Sequence, residues 1–197
     1  MNKLTVRRAI ILVLVAACCL LVVPGMAGAG VRAKYRSEYK AKVNGLKRTF
    51  SIYATAYDNA KSASLQWADA LAATTDRDLR ALYEQQALSA YTANLGKPEE
   101  WNLSYARTIN GFKAGATRYF AAAGQQTGFK ATCNRLKSCA GMLILLANVH
   151  VYDSFQELGS EPPDYVTSQA MLDFGDEDAA KGHEGFDKQM SALKALQ

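Results

Sequence analysis

Histidine, proline and cysteine are all scarce in this 197-residue chain, and each shortage excludes something. There are two histidines, His150 and His183, so the paired Glu-x-x-His set of a di-iron bundle cannot be assembled. His183-Glu184 lacks the second histidine of a zinc-protease motif. Two of the four cysteines, Cys18 and Cys19, lie in an N-terminal apolar run, which leaves Cys133 and Cys139 for the rest of the chain. No Cys-x-x-Cys-His haem motif, Gly-rich phosphate loop or Gly-x-Ser-x-Gly elbow is present. Asp173, Asp176, Asp178 and Glu184 lack the spacing and the glycine of a calcium-binding loop. The sequence therefore implies no enzyme, no cofactor and no metal site. His150 sits in an apolar run and reads as a core residue. Metal binding by His150, Asp153, His183 and Glu184 would require two helices to bring them together. The four prolines, Pro24, Pro98, Pro162 and Pro163, leave long stretches free to be helical, and alanine is abundant.

What is present is one long periodic stretch. Tyr39, Val43, Leu46, Phe50, Tyr53, Tyr57, Ala60, Ser64, Trp67 and Leu71 follow one another in steps of four and three. Only Ser64 interrupts the apolar seam, which predicts a heptad helix of the coiled-coil kind. From Ala54 onward the flanking positions are mostly alanine (Ala54, Ala56, Ala63, Ala68, Ala70), widening the stripe to that of a bundle core. Gly45 is a weak point, but the seam passes through it in register. A helix from Arg32 to Ala73 would be about 60 Å long.

Further elements follow in order. Thr75 and Asp78 offer a capping box for a second helix, with Leu79, Leu82, Tyr83, Ala87, Ala90 and Tyr91 on one face and Gly96 at its end. Pro98, Glu99 and Glu100 open a third, with Tyr105, Ile109, Phe112, Ala116, Tyr119 and Ala123 as its stripe. Gly111 and Gly115 on it mark close helix packing. Ala140 to Val151, apolar nearly all round, predicts a buried fourth helix ending at Gly159. After the Glu161–Asp164 linker come a short helix over Tyr165–Phe174 and a last amphipathic one marked by Phe186, Met190 and Leu193. Short joints favour antiparallel neighbours. The expected fold is an all-α, elongated antiparallel helical bundle built on the long N-terminal heptad helix. It forms a single domain over 30–197, in which 164–197 can stand as a C-terminal helical appendage.

Residues 1–29 read as a signal peptide. Lys3, Arg7 and Arg8 precede the apolar run Ala9–Val23, Pro24-Gly25 then breaks the helix, and Ala27-Gly28-Ala29 forms a cleavage site. Ala9–Val23 is short for a membrane span. The alternatives are an uncleaved membrane anchor, or a lipid on Cys18, since Val15-Ala16-Ala17-Cys18 resembles a bacterial lipobox. Only these alternatives would give the chain a membrane contact. The expected location is periplasmic or secreted, or else anchored by the N-terminal segment. An oxidising compartment predicts a Cys133–Cys139 disulfide, which requires Asn134 to Ser138 to be a turn.

The formal net charge of +5 includes Lys3, Arg7 and Arg8, and without those three it is about +2, too small to argue for nucleic acid. Its distribution says more. Lys40, Lys42, Lys47 and Arg48 continue a basic run begun at Arg32, while Asp173 to Asp187 are mostly acidic, so the chain end is expected to fold beside the basic start of the long helix. Tyr35, Tyr39, Lys40, Lys42 and Lys47 form the candidate interaction surface. The functional expectation is a non-enzymatic helical protein that binds or scaffolds protein partners, or itself, in the cell envelope, such as an accessory subunit of a secretion or conjugation apparatus. The alternative is a periplasmic small-ligand or metal-binding helical sensor.

Overall fold

The computed structural model describes residues 24–95, 98–121 and 124–196. The Ala9–Val23 run, Cys18, Gly96 and Ala123 lie outside them. The chain is all-α: among the described residues there are five helices and no strand. They are α1 (Pro24–Ala73), α2 (Arg77–Leu95), α3 (Pro98–Ala121), α4 (Gln126–Leu158) and α5 (Tyr165–Ala195).

Helix α1 runs unbroken for 50 residues, about 75 Å. Pro24-Gly25 does not end a helix before the seam. It forms the first described turn of α1, where proline's missing N–H removes no helical bond. Every seam residue from Tyr39 to Leu71 is buried except Val43, which is half-buried. Ser64, the one polar seam position, is fully buried and shares hydrogen bonds with Ser154 (2.7 Å), which in turn bonds Ser168 (2.8 Å). Three hydroxyls satisfy one another where α1, α4 and α5 meet, so the interruption in the seam is a polar joint rather than a defect.

Ring contacts pair α1 with its neighbours. Tyr39 stacks on Tyr119 at 4.6 Å, and Tyr53 meets Tyr105 edge-on at 5.6 Å. Phe50 stacks on Phe186 at 4.0 Å, and Trp67 on Phe155 at 5.7 Å. Gly115 of α3 marks a close approach to α1, since a Cβ there would lie 2.9 Å from the Lys42 side chain. A Cβ on Gly111 would meet nothing within 4 Å.

Helix α2 is capped by Asp76, one residue later than the expected Thr75. Its carboxylate accepts from the amides of Asp78 (2.9 Å) and Leu79 (3.1 Å). The buried face is correspondingly rotated. Leu79 and Leu82 are exposed, while Ala87 and Tyr91 are buried, with Tyr83, Leu88 and Ala90 packed beside them.

Helix α4 departs furthest from expectation. It is a single element from Gln126 to Leu158, with one π-helical stretch at Met142–Leu146. Cys133 and Cys139 lie on its unbroken first half, both as free, buried thiols. The expected disulfide is corrected: six residues of helix separate the two sites by a rise of about 9 Å, and a disulfide needs Cα atoms within about 7 Å. No turn forms between them because Leu136 and Ala140 are core residues of the same helix face.

Helix α5 is one 31-residue element, in place of two short ones. Asp164 caps it, accepting from the Thr167 amide at 2.9 Å and the Thr167 hydroxyl at 2.7 Å, and these bonds hold its carboxyl below the usual range. Its buried residues are Ser168, Leu172, Gly175, Ala179, Gly182, Phe186, Gln189 and Leu193, a second seam in steps of four and three. Small residues dominate its middle. A Cβ on Gly175 would lie 2.8 Å from the Tyr57 hydroxyl and 3.4 Å from the Ala147 carbonyl. One on Gly182 would lie 3.1 Å from the Cys139 carbonyl, and one on Gly185 2.7 Å from the Cys139 Sγ. α5 is thereby laid along α4 at nearly backbone distance.

Candidate interaction surface

The five surface residues expected from the sequence separate into two sets. Tyr39 is 3% exposed, enclosed by Tyr119, Phe112 and Phe120, so it is core and not surface. Its ring supplies one of the largest apolar areas the α1–α3 contact can bury. Tyr53 and Tyr57 are buried likewise. Tyr35 is half-buried, with the Arg118 guanidinium 6.0 Å from its ring centroid. Lys40, Lys42 and Lys47 are exposed, with Lys42 on the side of α1 that meets Gly115 of α3.

The acidic end of the chain reaches α1 further along than the basic run. Tyr57 donates to Asp176 Oδ1 at 3.0 Å, and Lys61 is ion-paired with Asp176 Oδ2. Burial first, and the bond to Asp176 second, hold the Tyr57 phenol above its ordinary range, so it stays a donor. Two residues on, Asp178 lies 3.5 Å from His150 Nε2 and 3.5 Å from Lys181, which also pairs with Glu177 at 2.8 Å. The acidic helix thus spends part of its charge on α4, on α1 and on itself. Lys40, Lys42 and Lys47 remain exposed.

The two histidines do not converge. His150 lies beside Phe174 and Asp178, whereas the His183 ring meets Phe50 edge-on at 5.2 Å. Among the described residues no group of three or more histidine, cysteine or acidic side chains could hold a metal ion. The thiols are poor nucleophiles: burial pushes Cys133 up to about 11 and also raises Cys139. Tyr105, fully buried near Cys139 and Tyr53, is raised too, mainly by burial.

The surface that sequence reasoning missed is on α4. Leu146, Val149 and Tyr152 are 48%, 49% and 45% exposed and recur at helical spacing, forming an apolar ridge. Across His150, Phe174 of α5 is exposed as well. The signal was in view, since the Ala140–Val151 run is apolar on all sides. That pattern implied burial all round, whereas α1, α2, α3 and α5 leave one side of α4 uncovered.

Comparison with family models, with curated proteins and with solved structures finds no match for this chain.

Proposed function

We propose that the chain is an exported, non-enzymatic helical protein that binds or scaffolds protein partners in the cell envelope, as an accessory subunit of a secretion or conjugation apparatus would. The observation that carries this reading is the apolar ridge Leu146–Val149–Tyr152 exposed along one face of α4. Scattered exposed hydrophobics are ordinary, but a row along one helix face is the form in which helices dock other helices. The reading includes an antiparallel bundle: residue pairs such as Tyr39–Tyr119 and Tyr53–Tyr105, or Phe50–Phe186 and Tyr57–Asp176, run in opposite order along α1 and its partners. Such a bundle gives a stiff support for a docking face. Export rests on the basic n-region, the Ala9–Val23 run and Ala27-Gly28-Ala29.

Two measurements in the native host test it. Intact mass of the purified chain should correspond to a start at Gly30, and a retained Met1 or a lipid on Cys18 would reject cleavage at Ala29. A photo-reactive residue at Val149 should give a discrete higher-mass adduct in intact envelopes, while the same residue at exposed Asp69 should not. Equal labelling from both positions, or none from Val149, would reject the docking face.

A further inference from the structure

Where α1 ends, α2 begins and α4 ends, a half-open cleft of about 590 Å³ lies between the three helices. That is the size of a small-molecule site, for which about 300–1,000 Å³ is usual. Its apolar lining comes from Trp67 and Leu71 of α1, Ala81 of α2 and Leu158 of α4. Trp67 is 3% exposed and stacked on Phe155, and its ring edge lies 3.7 Å from where a Gly159 Cβ would be. Its indole N–H is buried with no hydrogen-bond partner.

The walls also carry charge. α2 contributes Arg77 and Arg80 from its first turn, the positive end of its dipole. The end of α4 at Leu158–Gly159 and Glu161 just beyond it line the same cleft. Glu84, one turn beyond Arg80, completes the charged lining. Among the described residues none of these four charged side chains is in an ion pair. Asp76, beside Arg77, is not free for a ligand, since its carboxylate caps α2. Two guanidiniums and a carboxylate around a mostly polar lining, with a small apolar patch where Trp67 and Leu71 come to the surface, suit a small zwitterion whose side chain covers that patch.

We propose that this cleft binds an apolar α-amino acid. Its carboxylate sits on Arg77 and Arg80, its ammonium faces Glu161 and the end of α4, and its side chain lies against Trp67, Leu71 and Leu158. Glu84 disfavours a ligand with a second negative charge.

Tryptophan fluorescence reads the site directly. In a Trp101→Phe background Trp67 is the sole emitter, because the chain has two tryptophans. Titration of the purified chain with leucine should give a saturable change below about 10 mM, the weak end of specific binding. N-acetyl-leucine lacks the ammonium and leucinamide lacks the carboxylate, so each should bind at least about tenfold more weakly. Arg80→Ala and Glu161→Gln should each weaken leucine to a similar degree, and the exposed position of Glu161 makes the second variant the safer one for folding. No saturable change with leucine would overturn the proposal. So would N-acetyl-leucine or leucinamide binding as well as leucine, or Glu161→Gln binding it unchanged.

Discussion

Helices α1 and α5 each carry a seam in steps of four and three, built on opposite plans. The α1 seam is made of large rings: Tyr39, Phe50, Tyr53, Tyr57 and Trp67. The middle of the α5 seam is Gly175, Ala179 and Gly182. Rings reach across to fill the space between helices, so α1 can be held by several neighbours at once. Glycines remove that space, so α5 lies close on α4. Where the two plans meet they fit each other, for the Tyr57 hydroxyl occupies the place a side chain at Gly175 would need. The difference teaches that an equal period can mean unequal packing, and that the size of the seam residue sets the distance between helices.

The sharpest break is on the ring side. Phe50→Asp buries a carboxylate between Phe186 and His183, and it should cost about 4 kcal/mol or prevent folding. Tyr57→Asp should act in the same direction by facing Asp176 with a like charge. Urea denaturation measures both. If either variant melts with the wild type, the buried seam is refuted.

Alkaline titration is the next largest. Burial pushes Cys133 from 9.0 to about 11 and Tyr91 from 10.0 to about 12. Both folded values lie above the unfolded ones, so the unfolded chain loses protons first as pH rises. The stability is fully present below about pH 9 and is lost through pH 11–12, on the order of 2 kcal/mol from Cys133 alone. Cys133→Ala should flatten the early part of that fall. An unchanged melting profile between pH 8 and pH 11 in wild type would contradict a buried thiol.

Glycine substitutions compare the two helices directly. Gly182→Ala drives a Cβ to 3.1 Å from the Cys139 carbonyl, a backbone atom that yields only if α4 and α5 separate, so a loss of about 2 kcal/mol is expected. Gly45→Ala on α1 meets nothing within 4 Å and should gain up to about 1 kcal/mol from helix propensity. Thermal melts of the pair should shift in opposite directions, and shifts of the same sign would undo the contrast. The smallest effect belongs to Asp69→Ala. Asp69 is exposed and off the seam, and the change should stay within about 0.5 kcal/mol.

Much of α1 and α3 was legible from the residues alone. Tyr39 to Leu71 and Tyr105 to Tyr119 are large, apolar and periodic, and side chains of that kind have to be buried against something wherever they fall. The end of α1 at Ala73 and the start of α3 at Pro98 followed from local chemistry in the same way. Other features depended on what stands opposite. Gly175 and Gly182 carry no hydrophobic signal, so the α5 seam emerges only once Tyr57, Ala147 and Cys139 are in place across from it. An oxidising compartment suggested a bond between Cys133 and Cys139, and an unbroken helix held both thiols apart. The run Ala140–Val151 determined its own helicity, but whether Val149 and Tyr152 meet protein or solvent was decided by the other helices, which cover only part of the circumference of α4. Sequence specifies what a side chain can do within a few turns of backbone. Distance, exposure and partnership are properties of pairs of segments, and they exist only after the segments have packed.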